Sequence, residues 1–409
     1  MTLKPYIALC ALALACTACV NDDTNFGNLI YDITRDELTP IDIALDFSAL
    51  DEQADTPITD ETDPFYSDYV ENDDFDRTVY VNYDGDHVTL SGNSDRVQVT
   101  VNGAHVTINS QSGRMDYVLS GKSTNGSFKV YSDNKFKLTL AGVTLTNPTG
   151  AAINDQCGKS LYLVLADGTD NTLTDGSNYT IPTGEQMKGA VFSEGQIIVS
   201  GKGSLTVNAN GGHGIASDDY IRFRPGCRVH VTTSAGHGIK ANDGIYVDGG
   251  VINVEVTGDG YKGFKSDHDI EVHGGRTTVI TSGGSRLNEE DVIGDSEGNY
   301  SSCAGLKSDY GISIDGGVVR VKSTGEGGKG LNATTELSID GGNVAVVTTG
   351  SRGESAPKGL KCDADISISG GSTYVYSATS APIDAGEKLI VADGYTKYES
   401  LPRRVIINY

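Results

Sequence analysis

One sequence pattern recurs along the second half of this 409-residue chain: GIKANDGIYVDGG from Gly238, GFKSDHDIEVHGG from Gly263, GLKSDYGISIDGG from Gly305, GLNATTELSIDGG from Gly330 and GLKCDADISISGG from Gly359. A sixth copy, PIDAGEKLIVADG, begins at Pro382. Successive copies begin 23 to 29 residues apart, except for one step of 42 that must contain an insertion. Self-similarity at such a period indicates a solenoid, in which each repeat stacks on the next.

The repeat extends toward the N-terminus, because related segments begin at Ala190 and Gly214, in steps of 24 residues. Between Arg77 and about Asn147, short alternating runs such as TVYVNY and FKLTLAGVTL are bounded by Gly, Asn or Asp. Such runs are typical of strands joined by tight turns. No segment of useful length has a helical period. We therefore predict an all-β domain over residues 77–400.

Alternate residues of a strand point to opposite sides, and each repeat is apolar on one side. In the copy that begins at Gly305, these apolar residues are Leu306, Ile312, Ile314, Val319 and Val321. Three short strands per repeat, with corners at glycine pairs where positive φ is needed, close a coil. Stacked coils lie about 4.8 Å apart. The pattern predicts a parallel β-helix with about 25 residues per coil.

The composition excludes some partners. The net charge is −24 and the pI is about 4.5, so nucleic acids and anionic membrane surfaces would be repelled. Outside the first residues, the chain has four cysteines without a CxxC pair: Cys157, Cys227, Cys303 and Cys362. Their spacing supports neither a metal cluster nor a disulfide framework.

The N-terminus has the features of an export signal. Lys4 precedes a short apolar run over residues 6–15, which predicts a signal peptide over residues 1–18. Cys19 resembles the lipidated cysteine of bacterial lipoproteins, with Cys16 as the competing site. The acidic residues after Cys19 resemble a surface-export signal, so we expect a lipid anchor in the outer membrane at the cell surface; anchoring in the inner leaflet is the alternative. The acidic, irregular composition of residues 19–76 predicts a flexible tether.

The outward positions of the repeats form two charged columns. One contains Lys240, Lys265, Lys307 and Lys361, with Asn332 as an interruption, and an acidic column lies two residues further on. Like charges stacked about 5 Å apart are unfavourable unless the other column neutralises them. Two interpretations stay open: mutual salt bridges on a solvated face, or lysines that bind a ligand.

The acidic residues also suggest a metal. Calcium takes carboxylate and carbonyl oxygens, and an acid-rich corner of a β-helix could supply them, although the spacing matches neither an EF-hand nor a glycine-rich calcium repeat. The candidate calcium ligands are Asp218, Asp243, Asp267, Asp269, Asp309 and Asp363. The insertion SRLNEEDVIGDSEGNYSS, residues 285–302, adds further acids beside them.

Tyrosines are the candidate stacking platforms for a flat ligand such as a sugar ring, since the chain has no tryptophan. Tyr374 and Tyr376 occupy successive outward positions of one strand, and Tyr310 lies near the lysine column. Exposed tyrosines are also common on strands for their strand propensity alone.

The repeats resemble a known family. The run of LTDGSNYT, AVFSEG, GHGIASDDYI, GIKANDGIYVDGG and GLKSD is similar to a family of secreted bacterial carbohydrate-binding proteins. The resemblance covers about residues 77–385. It implies a right-handed parallel β-helix like that of pectate lyases, bound calcium, and binding of acidic plant polysaccharides such as polygalacturonate, or of cellulose.

Three functions follow as hypotheses. The first is a cell-surface lipoprotein that binds polysaccharide along one face, with calcium bridging protein and uronate carboxylates. The second is a calcium-dependent polysaccharide lyase, for which Lys265, Lys307 or Arg286 could be nominated as the base; no motif singles out a catalytic residue. The third is a structural adhesin or spacer. We expect a polysaccharide partner and no nucleic acid.

Overall fold

The computed structural model describes residues 39–51, 55–92, 96–287, 299–392, 396–400 and 404–408. The predicted signal peptide and Cys19 lie outside these residues. No helix among the described residues has the length and apolarity to cross a membrane.

The described chain is a parallel β-helix with three faces, which confirms the predicted fold. Face 1 is a twelve-stranded sheet, and faces 2 and 3 are two parts of a 21-stranded sheet that bends at a corner. Face 1 consists of Val97–Asn102, Ala104–Ser110, Gly126–Ser132, Ile153–Asp155, Gly189–Ser193, His213–Ser217, Ile239–Ala241, Lys262–Ser266, Ala304–Ser308, Lys329–Ala333, Lys358–Cys362 and Ile383–Ala385.

Face 2 contains Leu161–Leu165, Ile197–Gly201, Tyr220–Phe223, Gly244–Val247, Ile270–Val272, Gly311–Ile314 and Leu389–Val391. Face 3 contains Asp170–Thr174, Ser204–Ala209, Arg228–Thr233, Val251–Val256, Arg276–Thr281 and Val318–Ser323. Longer strands pass from face 2 to face 3: Arg77–Asp84, Met115–Ser123, Phe136–Thr146, Glu336–Thr348 and Asp365–Ser377.

Antiparallel pairs lie at both ends of the β-helix. At the N-terminal end, His87–Gly92 pairs with Arg77–Asp84, and the first two strands of face 1 pair with each other. At the C-terminal end, Thr396–Ser400 pairs with Arg404–Asn408. The insertion begins and ends in a two-stranded ribbon of Arg286–Leu287 and Tyr300–Ser301. The pairs at the two ends of the β-helix cover coil ends that would otherwise present unpaired backbone groups.

The predicted inward residues form the core. Stacked coils place Ile239 beside Phe264, and Phe264 beside Leu306, and all three side chains are fully buried. At the corner between faces 2 and 3 the second glycine of each pair has positive φ, for example Gly317 at +72°. A Cβ at Gly317 would also lie 2.6 Å from the Gly274 backbone. The corner therefore needs glycine both for its conformation and for close stacking.

The segment before the β-helix is packed against it. We call residues 39–51 and 55–76 the strap; it contains two short 3₁₀ turns, Tyr66–Asp68 and Val70–Asn72. On face 3, Asn253 donates to the Asp46 carbonyl at 2.8 Å. On face 2, Arg222 pairs with Asp68 at 2.8 Å, and the Asp68 side chain is 1% exposed. In the described part of the predicted tether, buried ion pairs and aromatic contacts hold the chain on two of the three faces.

Candidate functional site

Face 1 carries the predicted lysine column on its outer side. Its register places Lys240 beside Lys265 and Lys265 beside Lys307. Asn332 follows Lys307 and precedes Lys361. Strand alternation places these residues on the outer side of face 1, and it buries the apolar residues on either side of each of them in the same strand.

Each ammonium group in the centre of the column is saturated with acceptors. Lys265 Nζ donates to Asp267 Oδ1 at 2.8 Å, to Asp309 Oδ2 at 2.5 Å and to the Ser266 carbonyl at 2.9 Å. Lys240 Nζ has an equivalent arrangement, with Asp267 Oδ2 at 2.6 Å. An ammonium group has three protons to donate, so Lys265 bridges the aspartates of two coils and keeps no proton for another acceptor.

We call the paired lysine and aspartate columns of face 1 the ladder. Its exposed groups are acids rather than lysines. The side chains of Lys240, Lys265 and Lys307 are 16%, 14% and 17% exposed, whereas those of Asp267 and Asp309 are 48% and 49% exposed. Partial burial would raise the pKa of Asp267, but hydrogen bonds from Lys240 and Lys265 lower it below its ordinary value. A molecule that approaches face 1 therefore meets the aspartates before the lysines.

Tyr310 forms an aromatic platform at the edge of this ladder. It immediately follows Asp309 in sequence, and its side chain is 50% exposed. Its ring stacks on His268, with centroids 4.8 Å apart and an angle of 18°. His268 also contacts Asp269 at 2.7 Å. Stacking limits the freedom of the Tyr310 ring, so the platform is preorganised for a flat apolar surface such as a sugar ring.

The other two predicted tyrosines lie elsewhere. Tyr374 and Tyr376 point outward from face 3, but the strap covers them. Tyr376 is 8% exposed and packs in a small cluster with Ile43 and Val347, against which Tyr374 also packs. Tyr376 is thus buried and Tyr374 half-buried. Alternation showed which side these residues face and could not show that another segment lies on that side.

The six predicted calcium ligands do not assemble into one site. Asp267 and Asp309 are bonded to lysines, and so is Asp363, through Lys361. Asp218 pairs with Lys188. Asp269 accepts the Gly311 N–H and Asp243 is exposed. Within the described ranges, no group of three or more His, Cys, Asp or Glu could hold a metal ion. Residues 288–298 of the insertion lie outside these ranges, and calcium binding stays a prediction.

A stacked histidine pair lies at the corner that leads into face 1. The rings of His213 and His237 are 4.9 Å apart at 11°. His213 Nδ1 accepts the His237 N–H at 2.9 Å, and His237 Nδ1 accepts the Lys262 N–H at 3.0 Å. Burial lowers the pKa of His213 to about 4. The pair was missed in the sequence, although its separation of 24 residues equals the coil period.

Among the described residues, face 1 and its edge thus give this parallel β-helix an acidic surface with half-exposed carboxylates. A family model described as "Carbohydrate-binding domain-containing protein" matches residues 102–269, 260–345 and 325–401. These matches cover most of the chain, and the chain belongs to this family.

One sequence relative and one solved structure are similar to this chain. A carbohydrate-binding domain-containing protein of Acetivibrio thermocellus is 33% identical over 114 residues, which are 27% of this chain and 40% of that protein. The match therefore spans less than half the length of that relative. The solved structure of a polysaccharide lyase-like protein from C. thermocellum, a gadolinium derivative, is 20% identical, with a TM-score of 0.44 over 78% of this chain and 98% of that chain.

Proposed function

We propose that the protein binds a polysaccharide on face 1 and that neutral chains are preferred to acidic ones. The observation that carries this proposal is the state of face 1: it has half-exposed carboxylates in neighbouring coils, beside the exposed ring of Tyr310. The strap lies on faces 2 and 3. Membership of the carbohydrate-binding family supports a sugar polymer as the ligand.

The charge of face 1 argues for neutral chains. Ionised carboxylates accept hydrogen bonds and cannot donate them, and the hydroxyl groups of a sugar supply the donors. A uronate polymer would meet both these carboxylates and the net charge of −24, while the lysines that could attract it are already bonded. Of the two polymers expected from the resemblance, cellulose fits this surface better than polygalacturonate.

The hydrogen bonds of the ladder lysines favour sugar binding over catalysis by proton abstraction. A lysine acts as a general base only in its neutral form, with a free lone pair. Lys265 donates to three acceptors, and Lys307 donates to the Ser308 carbonyl at 2.7 Å and to Thr334 Oγ1 at 3.0 Å. A lyase would need one of these groups to be released and deprotonated.

The location proposed for this activity is the cell surface, through a lipid on Cys19. The apolar run before Cys19 and the acidic residues after it support this proposal. Metabolic labelling with a lipid precursor tests it: wild type incorporates the label and Cys19→Ala does not. Equal labelling of both would refute lipidation at this position.

A pull-down assay with cellulose and polygalacturonate, each with and without a calcium chelator, tests the proposed ligand. We expect retention on cellulose that is insensitive to chelator, and weaker retention by Asp309→Asn. The matched control is Asp315→Asn, whose carboxylate is 50% exposed away from face 1. Chelator-sensitive retention on polygalacturonate would support the calcium-bridged alternative. Release of unsaturated products would support a lyase. No retention on either polymer would refute polysaccharide binding and favour a structural adhesin or spacer.

A further inference from the structure

Large apolar side chains are rarely exposed along the coils. Among the described residues between 190 and 385, those that are exposed are Leu287, Tyr300 and Tyr310, at 36%, 43% and 50%. All three lie near the ends of one face 1 strand, Ala304–Ser308. Exposed apolar side chains confined to the two ends of one strand make that strand a candidate site of contact.

Two of these residues, Leu287 and Tyr300, belong to the ribbon at the base of the insertion. Leu287 and Tyr300 are directly opposite each other in its antiparallel pair. Residues that are directly opposite in such a pair project to the same side. Their side chains therefore form a single apolar patch just before the strand, while Tyr310 lies just after it.

The ribbon is held firmly by the coils beneath it. Arg286 donates to the Tyr261 hydroxyl at 2.6 Å and stacks on its ring at 4.4 Å. Ser301 Oγ accepts from the buried Lys262 ammonium at 2.5 Å. Burial lowers the pKa of Lys262 to about 8.

A second set of bonds ties the ribbon to the following coils. Ser302 Oγ lies 2.6 Å from Ser355 Oγ, which accepts from Lys329 at 3.0 Å. Contacts with the coils on both sides fix the position of the ribbon relative to face 1. The apolar patch is therefore presented by a rigid support, which is the condition for a binding wall.

We propose that the Leu287 and Tyr300 patch and the stacked Tyr310 are the two end walls of a subsite for a neutral oligosaccharide. The sugar chain lies along the strand, across the direction in which the coils stack. The five residues of Ala304–Ser308 span roughly 17 Å at about 3.3 Å per residue. This inference rests on the proposed function, because it assigns the contacts of a polysaccharide already placed on face 1.

The chemistry between the walls matches such a ligand. Tyrosine rings pack against the apolar face of a sugar ring, and Asp309, 49% exposed, accepts its hydroxyl protons. Lys307, the lysine of the strand between the walls, is 17% exposed and already bonded within the ladder. The subsite therefore selects for ring faces and hydroxyl groups.

Isothermal titration with cello-oligosaccharides of increasing length tests the two walls. We expect affinity to rise with ligand length until the ligand reaches both walls. Tyr300→Ala should lower the affinity roughly tenfold, and for long oligosaccharides only. Tyr310→Ala should lose a similar factor, and Tyr300→Phe should retain wild-type affinity because it keeps the ring. The matched control is Tyr80→Ala, a tyrosine of 52% exposure at the N-terminal end of the β-helix.

The outcomes separate this inference from the proposed function. If wild type binds and Tyr300→Ala binds equally well at every length, the first wall is wrong and polysaccharide binding on face 1 stands. If Tyr300→Phe loses as much as Tyr300→Ala, stacking is refuted. If wild type binds neither the oligosaccharides nor the polymer, the proposed function itself fails. Circular dichroism of each variant excludes unfolding as the cause of a loss.

Discussion

The substitution Asp68→Ala tests whether the strap is a fixed part of the structure. Asp68 is 1% exposed, accepts from Arg222 Nη1 at 2.8 Å and accepts the Tyr220 hydroxyl at 2.5 Å. Removing one member of a buried ion pair costs about 3–5 kcal/mol, since the other charge is left without its partner. Arg222 keeps a second bond, to Asp248 at 2.7 Å, so we expect a loss near the lower end, about 3 kcal/mol.

Hydrogen exchange of the strap amides measures this loss locally. A loss of about 3 kcal/mol corresponds to exchange roughly a hundredfold faster where local opening controls it. The Asn72 N–H, bonded to the Tyr69 carbonyl at 2.9 Å, is a suitable reporter. Amides of the core strands should be unaffected, because their stacking does not involve the strap.

Asp42→Ala is the matched control for the same strap. Asp42 pairs with Lys322 at 3.1 Å, but its side chain is 84% exposed. Exposed ion pairs contribute about 0–1 kcal/mol, so exchange should change less than tenfold. Equal acceleration in both variants, or none in Asp68→Ala, would refute the reasoning that burial of the Asp68 pair holds the strap.

Two further predictions concern the coil corner and the ladder. The pKa of His213 is lowered to about 4. Between pH 6.5 and pH 4, His213 therefore binds a proton in the unfolded chain but not in the folded chain. The free energy of unfolding should fall by on the order of 3 kcal/mol across this range. Urea unfolding at several pH values should show a smaller fall when His213→Asn and His237→Asn are combined, and an unchanged slope would contradict the prediction. The second prediction concerns Asn332, which interrupts the lysine column. The double variant Asn332→Lys with Thr334→Asp should be about 1 kcal/mol more stable than the single variant Asn332→Lys. Only the double variant gives the new lysine an acid in its own coil. Equal melting temperatures of the two variants would show that the interruption does not follow the pairing rule of the ladder.

The coil architecture could be predicted from the sequence because it depends on local and periodic features. Alternation places Phe264 and Leu306 inside, and the repeat places them on top of each other. Glycine pairs such as Gly316 and Gly317 mark a corner whose backbone few other residues can adopt. These features recur in each coil, so each copy supports the interpretation of the others.

The strap could not be predicted in the same way, because its contacts occur once and join distant positions. Asp68 and Arg222 are 154 residues apart in the sequence, and the acidic composition of the segment is typical of an unstructured tether. The covering of Tyr376 by Ile43 has the same cause. Pairing within the ladder was one of two open interpretations, and the structure has this pairing: Lys265 bonds acids from two coils. Ligand binding by the lysines stays a prediction.

A crystal structure of the protein with a bound cello-oligosaccharide tests the proposed binding face. We expect sugar rings on face 1, with one ring against Tyr310 and hydroxyl groups donating to Asp309. Sugar bound on face 2 or face 3 with the strap displaced, or no bound sugar at a concentration that saturates the protein in solution, would contradict it.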